Sequence, residues 1–222
     1  MKVDEDTTSK KSSSKRLSLR GCVDTLSYWC SRKCQVRGFD VGILLQSKSR
    51  RSAILVKLER SLGLIAQYSP VQYRRVQCNL ARLFVFRIPP NLAEYHPNSR
   101  MCFIDCDYLI SKKLLPEELA MTIVHETTHA NLTRRGFGYD PATRSQVERI
   151  CVRAEIAFAK RLPDGASLAQ SAIASLDRGE AFWSDEEFLQ RDLKALRTLN
   201  MPAWFIRLAE WGARRKRKTP RL

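Results

Sequence analysis

Apolar residues recur along most of this chain at helical spacing. Between Ser52 and Ser69, the side chains Ile54, Leu55, Leu58, Leu62 and Ile65 share one face of a 3.6-residue repeat and predict a helix. Pro70 opens a second, short helix through Leu80, because proline is accommodated in a first turn. The period then changes. Residues 81–88 hold the unbroken apolar run Leu83-Phe84-Val85-Phe86, which reads as a strand ended by Pro89-Pro90. Residues 91–100 read as loop and Met101–Asp105 as a second strand. The longest predicted helix starts at Pro116. It has Glu117 and Glu118 at its positive end, Arg134 and Arg135 at its negative end, and Gly136 as its stop. Another follows over about residues 142–160. Its apolar face is Val147, Ile150, Cys151, Ala154, Ala157 and Phe158, opposite Ser145, Arg149, Arg153 and Lys160.

Leu162-Pro163-Asp164-Gly165 breaks that helix, and the remainder reads as helical. Segments are expected from Ser167 to Asp177, from Ser184 to about Leu199, and from Pro202 onward. Ser184 and Glu187 form a capping-box pattern, with Trp183 and Phe188 as its hydrophobic staple. Trp204, Ile206, Leu208 and Trp211 are expected to pack against the body. The fold class is therefore α+β and mainly helical. A domain with a small sheet spans residues 21–163, and a helical extension over 164–212 packs on it.

Length and composition narrow the class. The 222 residues suit one domain, and 44% hydrophobic with 28% charged residues excludes a disordered chain, a collagen or a disulfide knot. No apolar run nears the roughly 18–20 residues of a membrane span. Residues 1–20 lack the apolar stretch of a secretory signal, so the expected location is cytoplasmic. Of the net charge of +16, residues 1–20 carry +3 and residues 213–222 carry +6. Both tails are expected to be solvated, and could make a weak, salt-sensitive contact with nucleic acid or another anionic surface. Seven cysteines form no CxxC pair. The CxxxC of Cys30 and Cys34, with Cys22 near, leaves a metal site open, but free thiols in a reducing compartment are the plainer expectation.

Chemistry enters at His125-Glu126-Thr127-Thr128-His129, inside the longest predicted helix. Four residues turn a helix through about 400°, so the two imidazoles share a face one turn apart and both can ligate one Zn²⁺. Glu126 lies beside them, where it can take a proton from a zinc-bound water. The competing reading is two histidines making ordinary hydrogen bonds on a buried helix. The chain has three histidines and none after His129. His96, in Tyr-His-Pro-Asn, is expected to be an ordinary loop residue. A third protein ligand is then a carboxylate, Glu148 or Glu155. These share a helix face but sit about 10 Å apart along the axis, so one zinc cannot take both. Glu148, with Arg144 one turn before it, is preferred as ligand; Glu155 is a ligand or a group that orients a histidine.

With strand, HETTH helix and Glu-bearing helix in this order, residues 83–160 resemble the zincin superfamily of metallopeptidases, and within it the gluzincin group. The resemblance implies a zinc-dependent peptidase acting on a peptide or protein, with His125, His129 and a glutamate as ligands and Glu126 as base. It also implies a donor for the tetrahedral oxyanion, for which Tyr139 is the first candidate and Arg144 the second. Zincin edge strands pair with extended peptides, and Met101–Asp105 is the candidate strand. Asp105 and Asp107 are expected at turns or strand ends. Two other readings stand beside this one: a catalytically degenerate zincin that binds or regulates, and a nucleic-acid-associated protein working through its basic tails.

Overall fold

The computed structural model describes residues 24, 26–44, 46–88, 92–177, 180–198 and 200–218. The expectations for residues 1–20 and for Cys22 fall outside these. Among the described residues, 26–29 are helical, and a hairpin of β1 (Arg32–Val36) and β2 (Phe39–Ile43) follows. Its two-residue turn has φ of 49° at Arg37 and 79° at Gly38, the left-handed pair that matches the twist of the flanking strands. Helices α1 (Lys48–Tyr68) and α2 (Pro70–Asn79) follow, then β3 (Arg82–Phe86), β4 (Ala93–His96) and β5 (Met101–Asp105). The short α3 (Cys106–Ile110) leads into α4 (Pro116–Arg134) and α5 (Arg144–Ala159). The last third is α6 (Ala166–Leu176), a 3₁₀ turn (Glu180–Trp183), α7 (Asp185–Thr198) and α8 (Ala203–Lys218). The fold is thus α+β and mainly helical, around a small mixed sheet.

The sheet runs β1-β2-β3-β5-β4. Strands β2, β3 and β5 are mutually parallel, and β1 and β4 are antiparallel at the two edges. One face places Val41, Ile43, Leu83, Val85, Cys102 and Ile104 against Ile54, Leu58, Leu62 and Ile65 of α1 and Leu119, Ile123 and Val124 of α4. Each such aliphatic side chain contributes about 1.5–3 kcal/mol by leaving water. The other face carries Phe84, Met101 and Phe103 beneath Tyr28. Helix α4 is buried at Leu119, Ala120, Met121, Ile123, Val124, Glu126 and Thr127, on nearly all sides, because it runs between the sheet, α1 and α5.

Three expectations change here. Met101–Asp105 is not an edge: β5 lies between β3 and β4 and all five of its residues are buried. The edge on that side is β4, in the stretch expected to be loop. Ala93-Glu94-Tyr95-His96 is too short and polar to show a strand period, and only its ladder with β5 makes it one. His96 accordingly ends a strand. It is buried, with Nδ1 2.8 Å from Asp24 Oδ2, Nε2 3.3 Å from Glu94 Oε1, and its ring centroid 3.8 Å from that of Phe103. Thirdly, Trp204, Leu208 and Trp211 are mostly exposed rather than buried against the body, at 67%, 55% and 57%, and the opposite side of α8 turns inward, with Ile206 and Ala209 half-buried.

Elsewhere the local signals act as read. Asp105 caps α3, accepting the N–H groups of Tyr108 and Ile88, and Asp107 makes exposed ion pairs with Arg87 and Arg50. Ser184 accepts the N–H of Glu187; the Trp183 side chain of the expected staple is outside the described atoms. Helix α6 packs along α5 through Ala169 and Ala172. That approach depends on Gly165, where a Cβ would stand 1.8 Å from the carbonyl oxygen of Ala159. No helix among the described residues is long and apolar enough to cross a membrane.

Candidate metal centre

Helix α4 delivers two imidazoles, and α5 packs beside it with the carboxylates. Pro116 occupies the first turn of α4, and the Glu118 carboxylate accepts the backbone N–H of Leu115, so the start is fixed. Thr127 and Thr128 donate their hydroxyls to the carbonyls of Ile123 and Val124, which leaves no orphaned hydroxyl inside the motif. The helix ends in a Schellman turn. Phe137 N–H donates to Leu132 O, Gly136 N–H to Thr133 O, and Gly136 takes a φ of 84°. Asp140 and Thr143 then tie the loop. The Asp140 carboxylate accepts the N–H groups of Ala142 and Thr143, and the Thr143 hydroxyl donates to Gly138 O. This loop carries Tyr139 back over the histidines, its ring edge-on to His129 at 5.3 Å.

Three groups converge. His125 Nε2 lies 3.1 Å from His129 Nε2 and 3.3 Å from Glu148 Oε2, and His129 Nε2 lies 3.5 Å from Glu148 Oε1. A tetrahedron with arms of about 2.0–2.1 Å has edges of about 3.3–3.4 Å. The separation of the two nitrogens is of that order, and each imidazole meets a different oxygen of the Glu148 carboxylate, so a cation between them would find donors from both helices. Glu155 takes the other side of the same ring, hydrogen-bonded to His125 Nδ1. The seven-residue spacing thus sets one carboxylate at each nitrogen of a single imidazole. With the Nδ1 proton given to Glu155, the Nε2 lone pair of a neutral His125 points at a carboxylate, which demands a proton or a cation between them.

The electrostatics carry the same demand. Glu126, Glu148 and Glu155 gather around two histidines, and Glu126 and Glu148 are buried. Burial disfavours charge on His125, but its hydrogen bonds to Glu148 and Glu155 outweigh this and hold its pKa well above the usual histidine range. Burial would raise Glu148, yet hydrogen bonds from both histidines bring it well below the usual carboxylate range. Burial raises Glu126 despite the two nearby histidines, and its carboxylate accepts the backbone N–H of Tyr95 on β4. A divalent cation would take the place of the proton that these groups call for at His125, since imidazole nitrogens and carboxylate oxygens are ordinary zinc ligands.

Cys151 is the residue the sequence reading missed. Its Sγ comes within 4.8 Å of the ligand nitrogens of both histidines. It follows Glu148 by one turn and was read only as part of the apolar face. Burial, then the charge of Glu148, raises its thiol far above the usual range, so it stays protonated beside a carboxylate that is already ionised. Glu148 and Cys151, one turn apart on α5, thus both stand beside the two imidazoles. The six described cysteines are free thiols, and Cys30 and Cys34 gather no further ligands among the described residues.

Tyr139 and Arg144 stand close to the centre but are engaged. The Tyr139 hydroxyl donates to Glu148 Oε1, and Arg144 stacks over the rings of Tyr139 and Phe188 at 5.3 and 4.7 Å. A cleft of about 290 Å³ opens beside the histidines, lined by Leu92, Ala93, Thr122, His125, Glu126, Glu155 and Arg191. Arg191 comes from α7, in the segment expected only to pack. Its guanidinium sits over Phe182 and Phe188 and donates from Nη2 to Phe182 O at 2.7 Å, which fixes a cation on the cleft wall. No local pattern marks such a residue, because the helix that carries it meets the cleft only in the folded chain. No protein-family model, curated protein or solved structure matches this chain.

Proposed function

We propose that this chain is a zinc-dependent peptidase of gluzincin-like type, with His125, His129 and Glu148 as ligands and Glu126 as general base. The observation that carries the reading is the convergence of two imidazole nitrogens and one carboxylate at 3.1–3.5 Å, with Glu155 fixing the tautomer of His125. A bound zinc ion would supply Lewis acidity, acidifying water and polarising a carbonyl. Burial raises the proton affinity of Glu126, so it can take a proton from the attacking water and return it to the leaving amine. Strand β4 forms the rim beside Glu126 and offers its outer edge to an extended peptide by strand addition, the part first expected of β5. The Tyr139 hydroxyl steadies Glu148; freed from it as substrate enters, it is the candidate oxyanion donor. Arg191 adds a fixed cation for a substrate carbonyl or carboxylate along the cleft.

Zinc per chain, measured by elemental analysis of protein purified without chelator, tests the ligands. A value near one that is lost in His129→Ala supports the site; a value near zero that added zinc does not restore removes it. Glu126→Gln should keep the metal and lose at least a hundredfold in hydrolysis of a peptide library. One observation favours a second reading, a zinc-holding protein without catalysis: the Tyr139 hydroxyl is committed to Glu148. Cleavage that depends on Glu126 rules that reading out.

A further inference from the structure

Helix α8 presents an apolar stripe to water and ends in a dense positive run. Trp204, Leu208 and Trp211 recur at i, i+4 and i+7, so they lie along one face, and each is more than half exposed. The helix docks on α7 by its other side. Its last turns carry Arg214, Arg215, Lys216, Arg217 and Lys218, and no acidic residue follows Glu210 in the sequence. Scattered single apolar residues on a surface need no explanation, but two tryptophans and a leucine in register on one helix face do.

We propose that α8 docks this protein on an anionic lipid surface. Indole rings favour the boundary between headgroups and acyl chains, being apolar in body and polar at one N–H. Leu208, between the two, supplies the purely apolar contact that enters below them. The five cations meet the negative headgroups, and the helix lies flat in the boundary rather than crossing it. A nucleic acid would satisfy the cations equally well. It would leave the stripe unexplained, because a phosphate backbone offers Leu208 nothing, and stacking on both indoles needs unpaired bases. Only a surface both charged and apolar uses the whole helix. The inference is independent of the zinc site, since α8 contributes no group to the cleft.

Flotation of the full chain with phosphatidylcholine vesicles, with and without about one third phosphatidylserine, tests it. Binding is expected only with the anionic lipid, with a blue shift of tryptophan emission and a tenfold or greater loss on raising the salt. The combined variant Trp204→Ser, Leu208→Ser and Trp211→Ser should lose vesicle binding at least tenfold while keeping the circular dichroism of the parent, because all three side chains are exposed. Replacing the five cations by glutamine should remove the dependence on phosphatidylserine. Equal binding to neutral vesicles, no binding at low salt, or undiminished binding by the serine variant each overturns the proposal. So does tight binding to duplex DNA or RNA without binding to vesicles, which would make the basic run a nucleic-acid contact.

Discussion

Glu148 and Glu155 look alike in the sequence: two glutamates on one helix face, two turns apart. The fold separates their work, one facing the Nε2 side of His125 and the other its Nδ1. Their loss should therefore differ in kind. Glu155→Gln is expected to keep stoichiometric zinc and weaken it by about 10–100-fold, the usual effect of losing a group that orients a ligand. Glu148→Ala, which removes a donor, should weaken it further. Competition with a fluorescent chelator reads both, and equal losses would contradict the division of roles. The pairing of His125 with His129 was legible because four residues of helix put two side chains on one face, with Glu126 beside them. Cys151 was not, because a cysteine on an apolar stripe gives the same pattern whether it faces a core or a metal.

His96 shows what a loop reading hides. Burial lowers its proton affinity, but hydrogen bonds to Glu94 and Asp24 prevail and raise its pKa above the ordinary value. A raised folded value means that the proton favours the folded state. The stabilisation is fully present below the unfolded pKa of about 6.5 and is lost as pH climbs through the folded value. His96→Gln should cost about 3 kcal/mol at about pH 5.5, as expected for removing one partner of a buried charge pair. The penalty should shrink at about pH 9. Urea unfolding at the two pH values measures it, and a penalty that grew with pH would reverse the argument.

At the scale of elements, α1, α2, β3, α4 and α5 were legible because each has a long period or a strong boundary residue. The β1–β2 hairpin and β4 were not. Their strands are four or five residues long and largely polar on one side, so pairing rather than local preference makes them strands. Two glycines hold the helices in place around the site. Gly136 sits at a φ of 84° in the turn that sends Tyr139 back over the histidines. Gly136→Ala should destabilise the protein by about 1 kcal/mol. Gly165→Ala meets the Ala159 carbonyl at 1.8 Å rather than a flexible side chain, and should cost more, about 2–3 kcal/mol. Thermal unfolding ranks the two, and a neutral Gly165→Ala would mean that α6 does not seat on α5 as closely as described.

For the whole molecule, a metal bound at the proposed site would be linked to stability. A ligand bound only by the folded chain, at a hundred times its Kd, stabilises by about 2.7 kcal/mol, which for a chain of this size raises the Tm by roughly 5–10 °C. Zinc should therefore raise the Tm of the parent and leave His129→Ala unmoved, and a chelator should reverse the gain. A zinc-induced rise of the same size in His129→Ala would locate the metal elsewhere. The pattern of residues foretold the mainly helical α+β architecture, but not the order of the strands, which depends on contacts between segments far apart in the chain.

That order has a kinetic consequence. Strand β4 precedes β5 in sequence yet lies outside it, so it is joined to the sheet on one side only, through a tight connection at residues 97–100. Its parting from β5 would leave the parallel ladder of β3 with β5 paired. The amide of Tyr95 points away from that ladder, to the carboxylate of Glu126. Its exchange with deuterium then reports the state of the cleft, slowing when the rim is closed on Glu126 or on an added strand, and quickening when the edge breathes.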